Sequence, residues 1–166
     1  MNHPRGPRRN APEFSPGELE GGTDASDLFV TVVCSRWNPT ITDAMLRSDL
    51  EALAFRGAKS EKVLVVRVPG AFELPAAVRT ALGDEECDAV IALGAIVRGE
   101  TTHHEVLGHA VGNALAAISA ETGRPVGFGL LTCETMDQAR ARTEKGAEAA
   151  EAAVEMANLR RRMEKG

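Results

Sequence analysis

Four short runs of consecutive apolar residues alternate along the chain with longer stretches in which apolar residues recur every three or four positions. The runs are "LFVTVVCS" (28–35), "KVLVVRVPG" (62–70), "DAVIALGAIV" (88–97) and "PVGFGLLT" (125–132). The first is continuous, β-branched and bounded by polar residues, which predicts a strand buried on both faces, and the others predict three more strands. "TITDAMLRSDLEALAFRGA" predicts a helix with Ala44, Leu46, Leu50 and Leu53 turned inward and Gly57 as its stop. "FELPAAVRTALG" predicts a helix from about Phe72, closed by Gly83. "HEVLGHAVGNALAAISAETG" predicts a third, with Leu107, Val111, Leu115 and Ile118 on one stripe. A short helix near Met136 to Arg142 and a long Ala-rich helix from Lys145 complete the series. The latter ends in "RRRMEK", where cations suit the negative end of the helix dipole.

Strand and helix in strict alternation predict an α/β fold: a four-stranded parallel sheet flanked by helices on both faces, joined by right-handed crossovers. In such sheets ligands bind beyond the carboxyl ends of the strands. Functional residues are therefore expected in the segments that follow each strand, "SRWNPT", "VPGAFE", "VRGETTHH" and "TCETMD". Residues 1–26 carry Pro, Gly and charge with little to bury, and are expected to form a disordered arm ahead of one domain over 27–166.

Composition narrows the function classes. A net charge of −5 gives no general attraction to nucleic acid or to anionic membrane, and no apolar stretch is long enough for a signal peptide or a membrane span. Cys34, Cys87 and Cys133 are odd in number and widely spaced, which argues against a disulfide framework or a zinc site and for reduced thiols in a cytoplasm. With no Tyr and a single Trp, Trp37 needs a reason.

On the loop after the first strand, the Trp37 ring offers a stacking platform for a planar ligand, or else closes the edge of the core. Asn38 beside it has a donor and an acceptor, though Asn-Pro is also an ordinary turn. In "VPGAFELP", a Pro-Gly turn leads into a helix, and Glu73 in the first turn could hold a polyhydroxyl chain or simply stabilise the helix start. "RGETTHHE" is the most informative segment. Gly99 allows close approach, the amides near Thr101 and Thr102 open a helix and form an anion site, and His103 at its mouth can give and take a proton near neutrality. Metal binding by His103, His104, Glu105 and His109 is not expected. At about 100° per residue His103 and His109 point far apart. Phe128, between two glycines in the fourth strand, could be a second stacking surface, and Arg142 and Lys145 supply positive charge suited to phosphate.

Taken in order, "RWNP", "VPGAFELP", "LGAIVRGETTHHE", "GFGLLT" and "KGAEAAEAAVEMANL" resemble the blocks of the lumazine synthase family, from about Leu28 to Leu159. The resemblance implies a flavodoxin-like three-layer sandwich that assembles as a pentamer or a sixty-subunit icosahedral shell. It also implies an enzyme of riboflavin biosynthesis, a transferase condensing 5-amino-6-(D-ribitylamino)uracil with 3,4-dihydroxy-2-butanone 4-phosphate, with no cofactor. By position, the resemblance implies that Trp37 stacks on the pyrimidine with Asn38 beside it. Ala71, Phe72 and Glu73 hold the ribityl chain, and Ala95, Ile96 and Val97 line the pyrimidine through backbone groups. Glu100 and Thr101 form the phosphate turn, and His103 transfers protons. Phe128 and Arg142 are implied to reach the site from the neighbouring subunit. Glu100 brings a carboxylate to that turn, so only its amide is expected to serve. His104 stands where the family commonly has an aromatic residue, and is read as packing. The alternatives are a flavin- or lumazine-binding protein without catalysis, a shell-forming structural protein, or a riboflavin synthase on the same fold.

Overall fold

A computed structural model describes residues 15–166. Strands β1 (Val30–Ser35), β2 (Val63–Val68), β3 (Ala89–Val97) and β4 (Val126–Cys133) form a four-stranded sheet in the order β2-β1-β3-β4. Every pairing is parallel, as the alternation predicts. β1 and β3 are central, and their side chains are buried on both faces apart from the partly buried Val97. β2 lies at one edge, where Leu64 and Val65 are exposed.

Alternate side chains of each strand point to opposite faces, so the sheet feeds two cores. On one side Val32, Cys34, Ile91 and Leu93 meet helices α1 (Pro39–Phe55), α4 (Met136–Arg140) and α5 (Lys145–Lys165) through Met45, Leu53, Ala139 and Ala153. On the other side Val33, Val90 and Ala92 meet α2 (Leu74–Ala81) and α3 (His103–Thr122) through Leu74, Val78, Val111 and Leu115. Each large side chain removed from water in these layers contributes about 1.5–3 kcal/mol before the entropy of ordering the chain is subtracted. The result is the three-layer sandwich expected.

Several local details differ from the sequence reading. Leu46 and Leu53 are buried as expected, but Ala44 and Leu50 are only partly buried, and Ile41, Thr42, Met45 and Asp49 complete the buried face of α1. The segment from Phe72 begins as a 3-10 turn over Ala71–Glu73 and becomes α-helical at Leu74, ahead of Pro75, which has no N–H to offer a longer helix. That helix ends at Ala81 and Gly83 is not left-handed, whereas Gly57 (φ 85°) and Gly123 (φ 63°) do end their helices in that way. Of the arm expected over 1–26, residues 1–14 lie outside the described residues. The remainder includes a docked piece: Asn158 Nδ2 donates to the carbonyls of Gly22 and Asp24, each at 2.8 Å, and Ala25 is fully buried. Gly21 lies so close to the Glu155 carbonyl that a side chain there would collide with it.

Candidate active site

The carboxyl ends of β1 and β3 open onto a cavity of about 470 Å³. Trp37 and Asn38, from the turn between β1 and α1, form one wall. Gly70, Ala71, Phe72 and Glu73, from the turn after β2, form the second. The end of β3, Ala95 to Val97, makes the floor, and Gly99, Thr101, His103, His104 and Leu107 close the far side. Ten of the thirteen residues singled out as candidate site residues in the sequence therefore line one concavity.

Each wall has a local cause. At the end of β1, buried Ser35 turns its hydroxyl to accept the Trp37 N–H at 3.2 Å, which reverses the chain just past the strand. Pro39 then starts α1 at a position where a missing N–H costs nothing. The indole is left 71% exposed and Phe72 70% exposed, so both rings stand at the mouth rather than in the core. Glu73 folds back over Gly70, where an added Cβ would lie 3.2 Å from its Oε2. On the far side Thr102 holds the N-cap position of α3 without a side-chain cap bond, and the His103 N–H is received by Thr101 Oγ1 at 3.3 Å. The positive end of a 20-residue helix thus faces the cavity beside Gly99, around which there is open space. That arrangement favours an anion. His103 is exposed at the same rim, within the same cavity as Trp37.

Three candidates lie elsewhere. Glu100 is exposed and does not line the cavity. Phe128, 47% exposed, belongs to a second hollow of about 270 Å³ with Glu105, Gly108, His109 and Glu134. Its flanking glycines are explained by close packing on the opposite face. A Cβ on Gly127 would meet the Ala149 carbonyl of α5, and one on Gly129 would meet Leu93 and the Ala92 carbonyl. Arg142 is exposed in the connection between α4 and α5 and donates to the Gln138 carbonyl at 2.9 Å. Lys145 pairs with Glu148 at 2.9 Å.

His104, read from the sequence as packing, lines both hollows. Its side chain is only 10% exposed and its Nδ1 lies 3.1 Å from the Thr101 carbonyl, so in the tautomer with Nδ1 protonated it donates there and steadies the turn before α3. Beside it an ion pair of Arg98 and Glu134 at 2.8 Å ties the ends of β3 and β4, and holds the Glu134 carboxyl below its usual range. The sequence reading also passed over Asp49, although it sits four positions from Met45 and from Leu53 on the buried stripe of α1. Among the described residues no three His, Cys, Asp or Glu side chains converge as metal ligands would. Cys34, Cys87 and Cys133 are free and buried, and burial raises all three thiols, Cys34 to about 11.

The profile of the family described as 6,7-dimethyl-8-ribityllumazine synthase matches residues 27–161. Among curated proteins, the 6,7-dimethyl-8-ribityllumazine synthase of Kocuria rhizophila is 47% identical over 141 residues, 81% of this chain and 88% of that protein. The enzymes of that name from Nitrosospira multiformis and Kosmotoga olearia are each 41% identical. Those alignments cover 89% of this chain and 92% of the first protein, and 88% of this chain and 97% of the second.

Proposed function

The chain belongs to the 6,7-dimethyl-8-ribityllumazine synthase family, and from that premise we propose how its rim cavity carries out the family's condensation. The reaction joins 5-amino-6-(D-ribitylamino)uracil to 3,4-dihydroxy-2-butanone 4-phosphate and yields 6,7-dimethyl-8-ribityllumazine, phosphate and water. The pyrimidine stacks on Trp37, beside Asn38, over the backbone of Ala95, Ile96 and Val97. The ribityl chain runs along Ala71, Phe72 and Glu73, whose carboxylate accepts from its hydroxyls. The phosphoester lies against the turn of Glu100 and Thr101 at the start of α3, with the Glu100 amide serving and its side chain in solvent.

The primary amine of the pyrimidine attacks the ketone, and loss of water gives an imine. Phosphate then leaves, and the ribityl-bearing nitrogen closes the second ring with loss of another water. Every step moves a proton between nitrogen, carbon and oxygen, and His103, at the mouth of the anion site, relays them. The remaining acceleration comes from holding two substrates in register. The observation that carries this reading is that Trp37 and His103, 66 positions apart in the sequence, line the same cavity at the helix start.

In this reading the site is completed by an adjacent copy, whose Phe128 covers the free face of the pyrimidine and whose Arg142 binds the phosphate. Exposed Phe128 supports it, as does the apolar hollow of Gly112, Leu115, Ala116, Val126 and Phe128 beside the β4 edge. The assembly is a pentamer or a shell of sixty subunits. The enzyme works in the cytoplasm, a reading supported by three unpaired thiols, and no described helix is long and apolar enough to cross a membrane. Residues 27–166 form the catalytic domain, with Gly22 to Ala25 docked against it. Mixing both substrates with the purified protein is expected to produce lumazine fluorescence; no signal above the uncatalysed rate would reject the assignment.

A further inference from the structure

Among the described residues, Asn38 is the sole non-glycine residue at positive φ (φ 56°, ψ 57°). Left-handed backbone crowds Cβ against the next carbonyl, and Asn tolerates it better than most because its short amide can bond nearby. Here the amide reaches much further. Nδ2 donates to the Ala95 carbonyl at 2.9 Å, across 57 positions of sequence. The β1–β3 pairing stops at Cys34 and Leu93, so this bond extends the link between the two segments past the end of the ladder. The Asn38 carbonyl is also engaged, receiving the N–H groups of Ile41 and Thr42, each at 3.0 Å, and the Thr42 hydroxyl at 3.2 Å.

The Trp37 ring, by contrast, is 71% exposed. Packing holds little of it, so the direction it faces must be set by the backbone beneath. We propose that Asn38 is a positioning residue: its left-handed backbone and its amide bond to Ala95 aim the Trp37 ring into the cavity and fix the Ala95 carbonyl at its floor. This rests on the reading of Trp37 as the stacking platform. It gives Asn38 a part other than direct contact with the pyrimidine.

Trp37 is the chain's single tryptophan, so its emission reports on this turn alone. In Asn38→Asp the shape and the tolerance for positive φ are kept, but the donor becomes an oxygen facing a carbonyl oxygen. Asn38→Gly keeps the backbone conformation and removes the tie, and serves if the Asp variant fails to fold by far-UV circular dichroism. Time-resolved anisotropy of the ligand-free protein should show a larger amplitude of fast Trp37 motion in either variant than in the wild type. Quenching of Trp37 by 5-amino-6-(D-ribitylamino)uracil should require about tenfold more ligand, the equivalent of one neutral hydrogen bond. KM for the phosphoester should stay within about twofold, since the anion site lies on the other wall. Unchanged Trp37 motion in the free variant, with or without weaker binding, would overturn the positioning role. Absence of quenching in the wild type would instead reject Trp37 as the platform, a separate failure.

Discussion

At the scale of single residues, the cavity gathers groups whose chemistry is visible in isolation. His103 is expected to dominate turnover: His103→Ala should lower kcat by about 10²–10⁴, the usual contribution of a positioned acid–base group, and leave both KM values within a few-fold. Steady-state kinetics with each substrate varied in turn reads this split. Asp49 carries a different prediction. It is fully buried on α1, and neither carboxylate oxygen has a hydrogen-bond partner among the described residues. Burial pushes its carboxyl up to about 8. In the unfolded chain the same group ionises near pH 4. Below that, both states hold the proton and stability is unaffected. From about pH 4 to about 8 the folded state keeps a proton the unfolded state has released, so stability falls by up to about 1.4 kcal/mol per pH unit. Asn cannot ionise, so Asp49→Asn should be the more stable protein near neutrality, with an advantage that shrinks toward pH 4. Urea midpoints for both proteins across that range are the measurement. No such advantage at neutral pH would mean that Asp49 finds a partner in solution.

Among secondary-structure elements, the four strands and the helices between them were legible because buried, β-branched runs and helical stripes leave strong periodic signals. Less legible were features set by contacts between distant segments. In "FELP", Pro75 marks a late start for the α-helix, but nothing shows that the turn before it is 3-10. Nothing in "GELEGGTDA" shows that Gly21 packs against α5 or that Ala25 enters the core. The start of α5 is a further case. It has no cap from its own N-cap residue, Glu144, and the Ala147 N–H is received instead by Ser48 Oγ of α1 at 3.1 Å. The same hydroxyl donates to the Thr143 carbonyl at 2.9 Å, so α1 both caps α5 and pins the connection carrying Arg142. Ser48→Ala should cost about 1 kcal/mol, the usual value of a lost cap, seen as a lower urea midpoint at unchanged slope. Gly146→Ala should cost more, roughly 1–3 kcal/mol, because an added Cβ would collide with the Met45 carbonyl and drive α1 from α5.

In the whole molecule, the candidate site residues of one chain stand in separate places. Trp37, Thr101 and His103 face one hollow, whereas Phe128 faces another and Arg142 stands in neither. The family blocks in the sequence imply that Phe128 and Arg142 serve a neighbouring copy, which periodicity and spacing, describing a single chain, do not indicate. The His104 side chain lines both hollows. The proposal that adjacent subunits complete each other's cavity can be tested by mixing two weak enzymes. His103→Ala and Arg142→Ala chains, each nearly inactive at low phosphoester, are unfolded, mixed in equal amounts and refolded together. A shared site predicts recovery of about a quarter of wild-type activity, the fraction of sites that randomly draw an intact His103 and an intact neighbouring Arg142 in a cyclic assembly. Activity equal to the average of the two separate variants would contradict it.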